Sequence, residues 1–324
     1  MTCSMAHCQD GTVEAARGAR LWIALVTVWV VWGSTYLGIA VAGETLPPLM
    51  GNAIRFAAAA AILAVIVSLA QGTTILGITR RELLASAVMG CAMLGFSISI
   101  LALAERYVPS GIAALVIAIV PLWVVLLRVI TGDRPGAATW AGVAVGLVGI
   151  VLIVLPGGTS PRAGSEADVV LWILLLIVSS FTWALLSWLA PRMPLPRNAL
   201  VTTVYELAAA AVLLGGVSPL IGERIEVDQV STASLLALGW LTFASVAAYT
   251  AYTWLVTHAP MSLVSTYAFV NPAVAVVLGG LVLGEVVTSD VLLGLTFVLG
   301  GVVLVSLGER RRTATRRVRL LDKA

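Results

Sequence analysis

The sequence predicts an all-α polytopic membrane protein of ten transmembrane helices, arranged as two inverted five-helix repeats. Three observations carry this prediction. Charged residues make up 11% of the 324 residues and hydrophobic ones 60%, where soluble domains average about 25% and about 45–50%. The few charges bound long uncharged runs, most of them sufficient to cross about 30 Å of hydrocarbon at 1.5 Å per residue. Residue types also recur at a fixed spacing of 151 along the chain. A soluble enzyme, a disordered chain and a disulfide-stapled secreted domain are excluded by this composition, and three cysteines make no disulfide framework.

Taken in order, the spans fall at about 21–41, 47–70, 83–104, 109–130, 138–155, 169–190, 198–218, 233–256, 261–283 and 289–308. The runs are continuous rather than alternating, which favours helices over a barrel. The first span is too long for a signal-peptide core, lacks a small-residue cleavage pattern and is followed by further spans, so it reads as a membrane helix. Residues 1–20 read as a polar tail, in which Cys3, His7 and Cys8 are too few to hold a metal. Residues 309–324 form a basic tail suited to anionic lipid headgroups; no folded module accompanies it that would read nucleic acid.

The basic residues set the orientation. With the N-terminus in the cytoplasm, Arg106, Arg162 and Arg224 lie outside and Arg55 lies within a span. The remaining fifteen of the 19 lysines and arginines then lie inside, as the positive-inside rule requires. An even number of spans puts both termini in the cytoplasm. Glu105, Asp133 and Glu285 sit at span ends and are expected in solvent.

The repeat rests on several pairs kept in register. Trp32 and Trp183, Arg55 and Glu206, Pro109 and Pro260, and Pro121 and Pro272 are each 151 apart. After one inserted residue Asp133 pairs with Glu285, Gly142 with Gly294 and Gly149 with Gly301. The halves are 21–160 and 161–308. Five spans is an odd number, so the second half enters the membrane in the opposite sense, an arrangement that many secondary transporters use.

Trp32-Gly33-Ser34-Thr35-Tyr36, Leu46-Pro47-Pro48, Arg55-Phe56 and Ala104-Glu105-Arg106-Tyr107-Val108-Pro109 resemble the EamA branch of the drug/metabolite transporter superfamily. His258-Ala259-Pro260, Asn271-Pro272 and Gly284-Glu285 repeat the pattern in the second half. The resemblance covers about 21–308. It implies ten helices, cytoplasmic termini in a bacterial inner membrane, and export of small metabolites by alternating access. Relatives commonly carry an uncharged polar residue where this chain has Glu206. Amino-acid-like substrates and proton coupling are the expectation; a passive channel or facilitator is the alternative, and a non-transporting receptor or scaffold a third. No cofactor is implied, and a single chain already holds both halves that alternating access needs.

Arg55 and Glu206 are the charges deep in spans. A charge there costs several kcal/mol unless it is paired or hydrated, so each should face protein or a cavity. One reading gives Arg55 the recognition of substrate charge and Glu206 a proton-titrating role; the other is an ion pair joining the second and seventh spans. Trp32 and Tyr36 share a face of the first span, as Trp183 and Ser187 do in the sixth, with Ser180 adjoining. Such amphipathic rings suit a wet pocket or interhelix packing. Tyr249 and Asn271 complete the candidate substrate site, with Tyr252 and Tyr267 as weaker candidates. Ser97 and Ser99 are two apart and cannot both face one cavity. Pro121 and Pro272 lie within spans and are expected to kink them. The glycines of the fifth and tenth spans form small-residue stripes for close packing. No Walker loop, H-E-x-x-H or Gly-x-Ser-x-Gly motif is present, so no enzyme is expected.

Overall fold

Helix-start chemistry explains where the elements begin. Thr79 accepts from the Glu82 amide at 3.3 Å, while the Thr79 amide donates to the Glu82 carboxylate at 2.8 Å. Ser165 and Asp168 form the same reciprocal box, at 3.3 and 2.8 Å. Asn198 accepts from the Leu200 amide, and Ser231 from the Ser234 amide. Pro48 stands in the first turn of its helix, where a missing N–H leaves nothing unpaired. These caps satisfy donors that a helix N-terminus otherwise leaves orphaned.

The computed structural model describes residues 19–132, 136–154, 163–259, 264, 267–284 and 288–321. Its helices are α1 (Ala19–Ala42), α2 (Pro48–Gln71), α3 (Arg80–Ala104), α4 (Ser110–Ile117), α5 (Val120–Ile130) and α6 (Ala137–Val154). They continue as α7 (Glu166–Leu189), α8 (Ala199–Leu220), α9 (Thr232–His258), α10 (Tyr267–Leu283) and α11 (Ser289–Leu321). No strand occurs among the described residues. Seven helical segments there are long and apolar enough to cross a membrane; Ala137–Gly149, Val270–Leu283 and Ser289–Val305 are shorter apolar stretches. Large apolar side chains point outward along the barrel of helices, among them Leu69 at 83% and Val212 at 78% exposure. Such a surface suits lipid and would be costly in water.

The main helix pairs are α2 on α8 and α6 on α11. Around them α1 packs on α9 and α10, α7 on α3 and α5, α4 on α10, and α3 on α8. Small residues set the α6–α11 distance: a Cβ on Gly142 would lie 2.5 Å from the Gly301 carbonyl oxygen, and one on Gly301 2.5 Å from the Gly146 nitrogen. Gly90 of α3 meets the backbone of α8 at Glu206. Glu223, just beyond α8, caps α2 from across the chain, accepting from the Leu49 and Met50 amides at 3.2 and 3.0 Å. An acid at that position also faces the positive end of the α2 dipole.

Four details differ from the sequence expectation. The fourth span is broken at Ala118–Ile119, and Pro121 sits in the first turn of α5 rather than mid-helix. Proline clashes with the carbonyl four residues back, and ending α4 at Ile117 removes that conflict. Pro272 does lie inside α10. Helix α11 continues through the basic run to Leu321 instead of ending at 308, since arginine, leucine and alanine are strong helix formers. Glu105 is not in solvent: it is the C-cap of α3 and only 2% exposed. Residues 1–18 of the N-terminal tail, Asp133, Pro260 and Glu285 lie outside the described residues, while residues 19 and 20 already belong to α1.

Candidate functional site

Two irregular turns aim side chains into the middle of the bundle. Val28–Trp32 of α1 and Gly90–Ser97 of α3 are π-helical, a widening that re-phases the residues following it and recurs at functional sites. Each segment ends on a residue of one central cavity, Trp32 and Ser97. That cavity is also lined by Thr35, Tyr36, Arg55, Ser179, Ser180, Trp183, Ser245, Tyr249, Tyr267 and Asn271, with Ile39, Leu101 and Ile117 among its apolar walls. The centres of water molecules can occupy about 70 Å³ of it, which is room for several waters.

Six of the seven substrate-site candidates therefore meet in one place: Trp32, Tyr36, Arg55, Trp183, Tyr249 and Asn271. Tyr267 joins them, and Ser97 does so while Ser99 does not. The seventh, Glu206, lines a second chamber with Met89, Met93, Ser187, Tyr252 and Thr253. Trp183 and Tyr249 belong to both chambers. They form a wall with Trp32, whose ring lies 5.6 Å from Trp183, 5.3 Å from Tyr249, 4.9 Å from Tyr252 and 5.4 Å from Tyr267. Edge-on and tilted rings at these separations attract one another beyond simple burial.

Arg55 is 2% exposed and makes no hydrogen bond to a described residue; its Nε is buried without a partner. The guanidinium carbon lies 4.5 Å from the centre of the Phe56 ring, and its charge interacts with that of Glu105. No ion pair joins Arg55 to Glu206 among the described residues, and the two line different chambers. Glu206 is half-buried and likewise has no polar partner there.

Several of the remaining polar groups are anchored. Ser187 donates to the Trp183 carbonyl at 2.7 Å, so the 2.9 Å contact with Tyr252 has the phenol as donor. The Trp123 indole donates to Ser180 at 2.9 Å, and Ser97 to the Ser179 carbonyl at 3.1 Å. With its amide turned, Asn271 donates to the Trp29 and Tyr267 carbonyls at 3.0 and 3.1 Å, just ahead of Pro272. The Trp183 indole N–H has no hydrogen-bond partner.

Sequence reasoning missed Ser179 and Ser245 in the cavity and the inward position of Glu105. Ser179 lies four residues before Trp183, a spacing that puts it on the same helix face; Ser245 carries no such signal. A small set of polar groups converging on an apolar, aromatic cavity inside a bundle of membrane-crossing helices is the build of a small-molecule site, here in a membrane transporter.

The chain belongs to the EamA-like transporter family, whose model matches residues 20–155 and 170–307. An uncharacterized inner membrane transporter of Escherichia coli K12, YedA, is 34% identical over 291 residues, covering 89% of this chain and 91% of that protein. A protein of Streptantibioticus cattleyicolor named a "Probable terminal-alkyne amino-acid exporter" is 27% identical over 303 residues, covering 91% and 97%. A solved crystal structure shares the fold with a TM-score of 0.66 at 20% identity, covering 91% of this chain and 98% of its own. Two matched segments fit a two-repeat architecture, and the chain is a multi-pass membrane transporter whose relatives include inner membrane proteins.

Proposed function

We propose that the protein exports small amino-acid-like metabolites from the cytoplasm by alternating access, coupled to protons. The observation that carries the reading is Arg55, buried with its Nε unpaired and without a hydrogen bond among the described residues, facing a cavity built from both halves of the chain. Its free donors suit a carboxylate in a bidentate pair, and the aromatic wall suits an apolar side chain. The relative named as an amino-acid exporter supports this substrate class.

In this reading ten spans form two inverted halves, 21–160 and 161–308, between the tails 1–20 and 309–324. The helix pairings support it. Exchanging α1 with α7, α2 with α8, α3 with α9, α4–α5 with α10 and α6 with α11 maps the main pairs onto themselves. Thus α1 on α9 corresponds to α7 on α3, and α1 on α10 to α7 on α4 and α5. The distribution of arginines supports cytoplasmic termini in a bacterial inner membrane. The cavity with Arg55 then faces the outer side, and the Glu206 chamber the cytoplasm, with the Trp32–Trp183–Tyr249 wall between them. Opening that wall on one side while the other closes is the access change. Glu206 accepts and releases the coupled proton.

The test is uptake of a panel of amino acids and related metabolites into proteoliposomes, with and without a pH gradient. Saturable flux with counter-flow and stimulation by the gradient is expected. Unsaturable flux would instead mark a passive channel, and no movement of any compound would remove the carrier reading.

A further inference from the structure

The chamber beyond the aromatic wall has its own chemistry. Among the described residues that line it the one acidic side chain is Glu206, and around it stand the rings of Trp183, Tyr249 and Tyr252 and the thioethers of Met89 and Met93. Glu206 has no hydrogen bond or ion pair with a described residue. Arg192, at the same end of the bundle, is already engaged: its guanidinium lies 4.1 Å from the centre of the Trp188 ring and donates to the Trp188 carbonyl at 2.7 Å. The Tyr252 hydroxyl is engaged with Ser187 at 2.9 Å, which fixes the ring in the chamber wall. Water centres have about 60 Å³ here. At about 10–15 Å³ per water, this is the space of four to six waters, and it matches a small quaternary ammonium.

A carboxylate flanked by aromatic faces and soft sulfur attracts organic ammonium ions, which pair with the acid and lie against the ring quadrupoles. We infer that this chamber is a separate binding site for an organic ammonium cation, distinct from the Arg55 cavity. The inference rests on the proposed transport reading only in placing the chamber on the substrate path. The ligand is the ammonium end of a metabolite or a small quaternary amine.

The two ideas are separated by measuring equilibrium binding, without transport, in purified full-length protein. Dodecyl maltoside micelles are suitable because that detergent has no charged headgroup. Ligand-observed NMR with tetramethylammonium should show saturable binding that equal concentrations of tert-butanol, its neutral counterpart in shape, do not displace. Glu206→Gln should weaken tetramethylammonium at least tenfold and leave binding of acetate, the probe for Arg55, unchanged. Tyr252→Leu should weaken it several-fold, and Tyr252→Phe, which keeps the ring, should not. The inference fails if tetramethylammonium does not bind the wild type, if tert-butanol displaces it equally, or if Glu206→Gln binds it as well as wild type. Should Glu206→Gln not survive purification, equal affinity in Tyr252→Leu and wild type overturns it. Loss of acetate binding in the wild type would instead count against the Arg55 reading.

Discussion

Arg55→Met separates a binding group from a structural one, because the two roles predict different stabilities. If Arg55 were one half of a buried ion pair, deleting it would leave the other charge uncompensated and cost about 3–5 kcal/mol. The structure gives it no such pair among the described residues. Its Nε is buried without a partner, which already costs the folded state about 1–3 kcal/mol. Against this, the contact with Phe56, at 4.5 Å, returns about 0.5–2 kcal/mol, and attraction to buried Glu105 adds to that. The orphaned donor offsets part of what these contacts return, so the ligand-free variant should lose less than the about 3–5 kcal/mol of a broken buried pair. With about 2.1 cal/mol/K of unfolding entropy per residue, a lost ion pair in 324 residues would lower the midpoint by roughly 4–7 °C. The partial offset keeps the shift below that range. Thermal unfolding in detergent, followed by circular dichroism, reads the difference. Uptake of a carboxylate substrate should fall at least tenfold in the same variant, since a hydrogen bond to a charged group is worth about 1.5–3 kcal/mol. A midpoint lowered by 4 °C or more would refute the argument and make Arg55 a structural residue.

Other perturbations test other parts of the molecule. Glu206→Gln should leave residual uptake but abolish its response to a pH gradient; an unchanged pH profile would make Glu206 structural. Gly301→Leu should destabilise the protein by several kcal/mol, because the α6 backbone lies where its side chain would go; a Tm equal to wild type would contradict that packing. Ser165→Ala removes a cap worth about 1 kcal/mol, and faster amide exchange confined to the first turn of α7 is the expected signature. Trp32→Ala removes the ring common to four aromatic contacts and should raise uncoupled leak of substrate across liposomes; tight vesicles would show that the wall seals without it.

Much of the helix layout was legible because charge is so scarce that each charged residue carries information. Treating charges as boundaries nonetheless placed two starts late. Glu82 and Asp168 look like edges of spans, yet each is the third residue of its helix and closes the capping box that opens it. Glu105 was misread for the opposite reason. A span-end acid is normally solvated, and no local pattern tells that the C-cap of α3 turns inward beside Ile39 and Ala40. The aromatic members of the cavity were visible through helical spacing. The partition between Arg55 and Glu206 was not, since it depends on which rings from α1, α7 and α9 meet in space. The two π-helical turns have no sequence signature of their own, yet they deliver Trp32 and Ser97 to the cavity.

The partition gives the 151-residue spacing of Arg55 and Glu206 a physical meaning. In the proposed repeat these are equivalent positions of opposite charge, and α2 and α8 pack directly on each other. Were the two side chains turned toward one another, they would neutralise and the pair would lock the halves together. They line separate chambers instead, with Trp183 and Tyr249 common to both. Aromatic side chains thus stand between the two charges. In the proposed cycle, moving the wall joins the two chambers, and wall and charges act as a single device. In that reading, a group that binds at one of them changes the electrostatic cost of opening the wall toward the other.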